Sequence, residues 1–490
     1  MAPSLIRSSW ILNSISGLAL IASAGFHATL VIVLGASSEV GAFFFALALP
    51  TLVIALANEA LTLHTASRFA MQAAERVTWK EIWRLCNRPV LLGAVALAVS
   101  LSISLLVHRP TQLSTSAFSA MTTLVHCAAL FGLLANIPLQ LLYLRGRLVV
   151  GSACHLIPPA TMLIGTLAFA ERGGIIAVSA SAVAGGAIQC ATLWSLAKRQ
   201  VSSREGLVGK ASGRFEAEAI HFRQIAIPIA LAIPFPFIPV FERYALAITD
   251  NFTSVAIISI SWSIVSAFWG LLIRGVSLAS IFHNEPRAST NGAGNDQISV
   301  FLIRYLVVVV LPAAVLLAAR GTPLLEMLLL YGKIQPGDVA VLADVLQVHV
   351  ITVCLLAAYT FMSRRLFVAH KSNAVVLSAL LIPMIQALAL VMITLTPKAV
   401  TPISITPVAL AIPLFLILRQ AVSARLLTRS NCVAALALGV LVLVADVLLL
   451  EQSEAILGSY SRGVELIFAS LGIVLLSSVV WFLGDRYGLP

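Results

Sequence analysis

The sequence predicts a polytopic all-α membrane protein with about fourteen transmembrane helices, and three observations carry that prediction. Hydrophobic residues make up 60% of the 490 and charged residues only 10%, with a mean hydropathy of +1.01. A soluble domain carries roughly 25% charged residues, so the solvent of this chain is mostly lipid. Apolar runs of spanning length recur along the whole chain, and lysine and arginine alternate in density between successive breaks.

The first run, 10–34, follows Arg7. At about 1.5 Å per residue it is long enough for the ~30 Å hydrocarbon core, whereas a signal-peptide core is shorter, roughly 7–15 residues. It is therefore expected to be a retained helix rather than a cleaved leader. Further runs are placed near 40–63, 89–107, 117–143, 148–170, 174–196, 225–247, 254–273, 300–319, 345–363, 373–395, 403–418, 432–450 and 463–483. The breaks at 35–39, 144–147 and 171–173 are so short that they require tight hairpins. Run 403–418 is short for a span and is expected to extend through Gln420 and Ala424.

Charge tests this division. With the N-terminus inside, 24 of the 31 lysines and arginines fall in segments expected to be cytoplasmic, as the positive-inside rule requires. The other seven are Arg109, Arg172, Arg243, Arg320, Lys333, Lys398 and Arg462. A missed helix would scramble the alternation, so both termini are expected on the cytoplasmic side of a bacterial inner membrane. The net charge of +11 is then topological and faces anionic lipid. Nucleic-acid binding, which needs a clustered basic face with aromatic partners, is not expected.

The six cysteines are scattered without metal-ligand or disulfide spacing. The nearest approach to a phosphate loop, Gly206 to Gly209 and Lys210, has two residues between its glycines where a Walker A loop needs four. The external breaks are short. Neither an enzyme nor a bound cofactor is expected.

Several stretches resemble the MurJ/MviN family of lipid II flippases, part of the multidrug/oligosaccharidyl-lipid/polysaccharide (MOP) exporter superfamily. Leu34-Gly35-Ala36 followed by Ala42-Phe43-Phe44-Phe45-Ala46 and Pro50 is similar to the family's second helix, and Ala57-Asn58-Glu59-Ala60 falls where that family has Ala-Glu-Gly-Ala. Tyr143 to Arg147 resembles the linker after the fourth helix, and Phe241-Glu242-Arg243-Tyr244-Ala245 an Asp–Arg stretch in the seventh. Pro323, Leu330-Tyr331-Gly332-Lys333 and Asp338, then Arg365, Phe367, Ala369 and Lys371, follow the tenth-helix pattern. The resemblance implies two six-helix lobes related by pseudo-symmetry plus two C-terminal helices. The corresponding segments are 1–196, a cytoplasmic linker 197–224, 225–430, and 431–490. Internal repeats of this kind place substrate between the halves, and the spacing of Tyr143 and Arg147 matches that of Phe367 and Lys371.

The sequence also departs from the family. Its acidic and basic positions in the second helix fall here on Gly41, Ala48 and Ile54-Ala55, and the arginine of the eighth is replaced near Ser263. Runs one, two and eight hold no lysine or arginine. A pyrophosphate-linked cargo needs charge-assisted donors, which must then come from elsewhere.

Charged groups within spans are expensive and usually functional. Glu59, beside Asn58, is expected to gate, bind a coupling cation or contact sugar, against the plainer role of an inter-helix hydrogen bond. Glu242 and Arg243 lie near the outer end of run seven, as cargo contacts or interfacial residues. Arg145, Arg147, Arg364, Arg365 and Lys371 flank helices four and ten as topological anchors or as collectors of an anionic headgroup. His27 and His126 are expected to satisfy hydrogen bonds, and the prolines at 228, 234, 236 and 239 to bend run seven. The expected function is translocation of an undecaprenyl-pyrophosphate-linked saccharide, either lipid II or an exopolysaccharide repeat unit. The rivals are a cation-coupled multidrug antiporter and a non-transporting membrane scaffold.

Overall fold

In a hydrocarbon core each peptide group must find its partner inside the protein, and a helix does this within one segment. The computed structural model describes residues 3–69, 79–106, 113–145, 147–202, 233–277, 293–330, 332–368, 371–395 and 402–424, with 231, 426 and 427. No strand occurs among them. The helices are α1 (Pro3–Leu34), α2 (Ser38–Phe69), α3 (Trp79–Leu106), α4 (Thr115–Leu144), the short α5 (Leu148–Ala153) and α6 (Ile157–Ser202). They continue with α7 (Pro234–Ile248), α8 (Phe252–Trp269), α9 (Ala293–Tyr305), α10 (Leu311–Ala319), α11 (Gly321–Leu329), α12 (Pro336–Val368), α13 (Ser372–Leu395) and α14 (Pro402–Ser423).

Ten stretches among the described residues are long and apolar enough to cross a membrane. One of them, Val149–Arg199, has 51 residues, about twice what the core requires. The chain reverses inside it. Gly174, at φ 56 and ψ −153, breaks α6. On either side, Gly165 packs against Ser181 and Gly185 against Pro158, while Gln189 Nε2 lies 3.2 Å from His155 Nδ1. Each pair is centred near 173, the signature of an antiparallel hairpin. This is the tight turn expected at 171–173. Counted as two traverses, Val149–Arg199 brings the described spans to eleven of the first twelve apolar runs, and of the remaining one, 225–247, the main described part is the 15-residue α7. The last two, near 432–450 and 463–483, lie outside the described residues. α14 ends at Ser423, as the extension of its short run requires.

The chain divides into two compact units, Ile6–Leu271 and Leu272–Pro490 with the first five residues. In the first, α4 packs against α6, α2 and α3, and α2 also packs against α7 and α8. Leu61, Ile82, Cys86, Val90, Leu133, Ile137 and Leu141 form one buried cluster there, with Ile54 and Ala57 packed on it. His126 ties α3 to α4: its Nδ1 meets the Thr122 carbonyl and its Nε2 the Ser100 hydroxyl, both at 2.8 Å. In the second unit α12 packs against α14, α10 and α11, and α13 against α14. Tyr359 and Ser378 join α12 to α13 through a 3.0 Å hydrogen bond. The expected repeat boundary at 197–224 concerns symmetry, whereas the division at 271/272 concerns packing.

Two segments wind wider than α. Gly270–Arg274, continuing α8, and Leu306–Val310, between α9 and α10, are π-helical. Within the second unit the Tyr305 hydroxyl donates to the Leu272 carbonyl at 2.7 Å, occupying an acceptor inside the first wide turn.

Candidate functional site

α7 opens at Pro234, with Pro236 also in its first turn, where the missing N–H groups have no helical partner to lose. Pro239 lies inside the helix, and Pro228 is outside the described residues. The helix closes in a tight reversal. Asp250 adopts φ 56, its N–H reaches the Ala247 carbonyl, and the Asn251 N–H reaches back to Leu246. This is a Schellman closure with Asp in the usual glycine position. Asn251 then caps α8 by accepting from the Ser254 N–H at 3.2 Å. α7 and α8 therefore run antiparallel across a three-residue link, which brings Glu242 opposite Trp262.

The Trp262 indole N–H donates to Glu242 Oε2 at 2.6 Å, and both side chains are buried. Glu242 is wholly enclosed and Arg243 only 8% exposed, so both side chains are packed within the protein. Arg243 nonetheless has no hydrogen bond or ion pair with any described residue, and its Nε is enclosed without an acceptor. Such a group inside a span costs at least about 2.5–3.5 kcal/mol on insertion scales. Its charge is within electrostatic reach of Glu242 and of His27 on α1. His27 stands edge-on to Phe44, ring centroids 4.7 Å apart, and its Nδ1 is enclosed without a partner. The expectation of a satisfied histidine holds for His126 and fails for His27. Tyr244 completes the surroundings, packing on Phe45 at 4.5 Å and meeting Ser104 of α3 at 3.4 Å.

α2 explains one of the departures from the family pattern. A Cβ at Gly41 would overlap the Phe252 carbonyl, so α2 meets the start of α8 backbone to backbone. Where the family carries an acidic side chain, this chain has contact instead of charge.

The other candidates are dispersed. Glu59 lies within α2, one residue beyond the apolar stretch Ser38–Asn58. The Glu59 side chain is outside the described residues. The Asn58 Oδ1 is enclosed and unpartnered, and no described hydrogen bond joins Asn58 to Arg243. Arg145 caps α4 through its backbone and is half-buried, and Arg147, before α5, is exposed. Lys371 is exposed, whereas Arg364 and Arg365 are buried, Arg365 with 1% of its surface left. Those two are packed side chains rather than surface anchors. Among the described residues no three His, Cys, Asp or Glu side chains gather as a metal site requires. Trp262 is the residue of this cluster that sequence reasoning missed. Its signal was an aromatic N–H on the helix directly after the Glu242–Arg243 pair.

No protein-family model matches the sequence, and no functionally curated protein matches it. Solved structures do. The lipid II flippase MurJ in an inward closed conformation is 14% identical, with a TM-score of 0.71 over 96% of this chain and 99% of that one. The MATE multidrug transporter DinF-BH is 14% identical, with a TM-score of 0.60 over 87% and 96%. An inward-facing multidrug resistance MATE family transporter of the MOP superfamily is 10% identical, with a TM-score of 0.56 over 88% and 99%. At these identities the likeness is one of fold, and the chain is a multi-pass helical membrane protein with the fold shared by MOP-superfamily transporters.

Proposed function

We propose that this protein is a flippase, carrying an undecaprenyl-pyrophosphate-linked saccharide across the inner membrane by alternating access. The observation that carries the reading is the extent of the match to the lipid II flippase. It spans 96% of this chain, against 86–88% for the MATE transporters. The buried, unpaired Arg243 supports it, because a forked cation suits an anionic headgroup. In this reading the polar headgroup passes through the protein while the lipid tail stays in the bilayer, and lipid II or an exopolysaccharide repeat unit is the cargo.

A cation-coupled multidrug antiporter is the second reading. The absence of lysine and arginine from runs one, two and eight favours it, since such spans suit an organic cation, with Glu59 as the ion site. Reconstituted protein separates the two. A flippase translocates fluorescent lipid-linked sugars in proteoliposomes and rescues cells depleted of their lipid II flippase. An antiporter extrudes a cationic dye in a Glu59-dependent way. Failure of both assays with correctly inserted protein would sink transport itself and leave the scaffold.

A further inference from the structure

We infer that α2 is a hinged helix that bends at Pro50, and that its bent form is latched by a hydrogen bond between Asn58 and Asn136 which stands open in this structure. The inference goes beyond the transport reading and does not depend on which cargo is carried.

The two halves of α2 are held differently. Residues 40–46 are all buried. Gly41 presses against the Phe252 carbonyl, and Phe45 packs on Tyr244 and Phe252. Residues 51–58, by contrast, all keep part of their surface exposed. Between the halves lies Pro50, which has no N–H to offer the Ala46 carbonyl. The next carbonyl, that of Leu47, accepts from the Thr51 hydroxyl at 2.6 Å, a side-chain bond of the kind that bends helices. The helix is gripped before the proline and loosely covered after it.

Register places the latch. α3 and α4 run antiparallel, since Ser100 meets His126 and Gly93 packs against Leu133, both pairs centred on 113. Tyr244 touches Phe45 of α2 and Ser104 of α3, which sets Phe45 level with Thr122 of α4. Further along, Ile54 lies against Gly132. α2 and α4 are therefore parallel, and one turn beyond Ile54 and Gly132 come Asn58 and Asn136. Asn58 Oδ1 is an enclosed acceptor without a donor, and Asn136 Nδ2 an enclosed donor without an acceptor, on a side chain only 2% exposed. Each carries the cost of its lost water, and one bond between them would satisfy both. α4 has its own proline, Pro138, but residues 135–142 are buried throughout, so α2 is the partner that moves. Closing the latch carries the turn that bears Glu59 towards α4. All of these residues lie in one compact unit, Ile6–Leu271.

The experiment uses full-length protein in nanodiscs with Asn58→Cys and Asn136→Cys combined, oxidised, and the linked peptides identified by mass spectrometry. A disulfide needs the two Cβ atoms within about 4.5 Å, so its rate of formation reports the closed form. The pair should link. Adding Pro50→Ala should slow linking about fivefold, the shift that one restored backbone hydrogen bond supports. Thermal melting of each variant establishes that it is folded. No linking, or an equal rate with Pro50→Ala, overturns the proposal. A second measurement leaves the proline in place. Asn136→Leu, similar in shape, removes an unsatisfied donor and should melt no lower than the wild type. A lower melting temperature would show the bond to be already made, and the open latch would be wrong. Neither readout involves transport, so failure of the latch and failure of the flippase reading are told apart.

Discussion

Glu59 follows the 21-residue apolar stretch of α2, within a helix that continues to Phe69. A carboxylate on so apolar a helix is costly unless it meets water, a cation, a partner or a sugar. If its charge is used, Glu59→Gln abolishes transport at unchanged membrane abundance, and Glu59→Asp recovers part of it because the charge returns one methylene short. Normal transport in Glu59→Gln, measured at equal protein levels, would end the functional assignment. The adjacent Asn58, with its enclosed and unpartnered oxygen, marks the same turn as one with unfinished hydrogen bonding. Much at this scale was legible in the sequence. The acidic–basic pair in α7 stood out because charge is rare in spans, and both side chains are buried. Two residues were not legible. Trp262 pairs with a residue twenty positions away through a turn that no periodicity encodes. Gly41 read as a lost charge, whereas its reason is the backbone of Phe252 pressed against it.

Hydropathy located the helices because lipid imposes length and apolarity on each traverse. It also placed the reversal in α6 correctly, although the two halves form one long apolar stretch. The conformation of Gly174 gives this turn a test. Its φ of 56 with ψ of −153 belongs to a region that L-residues with a Cβ avoid, and forcing one there costs about 1–3 kcal/mol. Gly174→Ala should lower unfolding stability by that amount. Gly25→Ala, where a Cβ meets nothing within 4 Å and φ is not positive, is the control and should change little. Equal melting of the two variants in detergent would contradict the turn. The wide turns at Gly270–Arg274 and Leu306–Val310 could not be read in advance. A π turn depends on a tertiary partner to take up its misaligned carbonyls, and that partner, Tyr305, lies 33 residues from Leu272.

For the whole molecule, the distribution of lysine and arginine predicts orientation. Single cysteines at Ser203 and Ser289 should react only from the cytoplasmic side, and those at Gln335 and Gln452 only from outside. Gln335 is exposed just before α12 and makes a fair probe. Two sites labelled from the wrong side overturn the fourteen-span arrangement. One arginine counted among the exceptions, Arg243, is no loop residue at all but a buried one, so the charge bias of the loops is stronger than the sequence tally suggested. The wide turn at Gly270–Arg274 has a mechanical side. It holds slack, an extra residue wound into the helix. Losing that residue would rotate the Leu272 carbonyl by about 100° around the helix axis, away from the Tyr305 hydroxyl that it now accepts from.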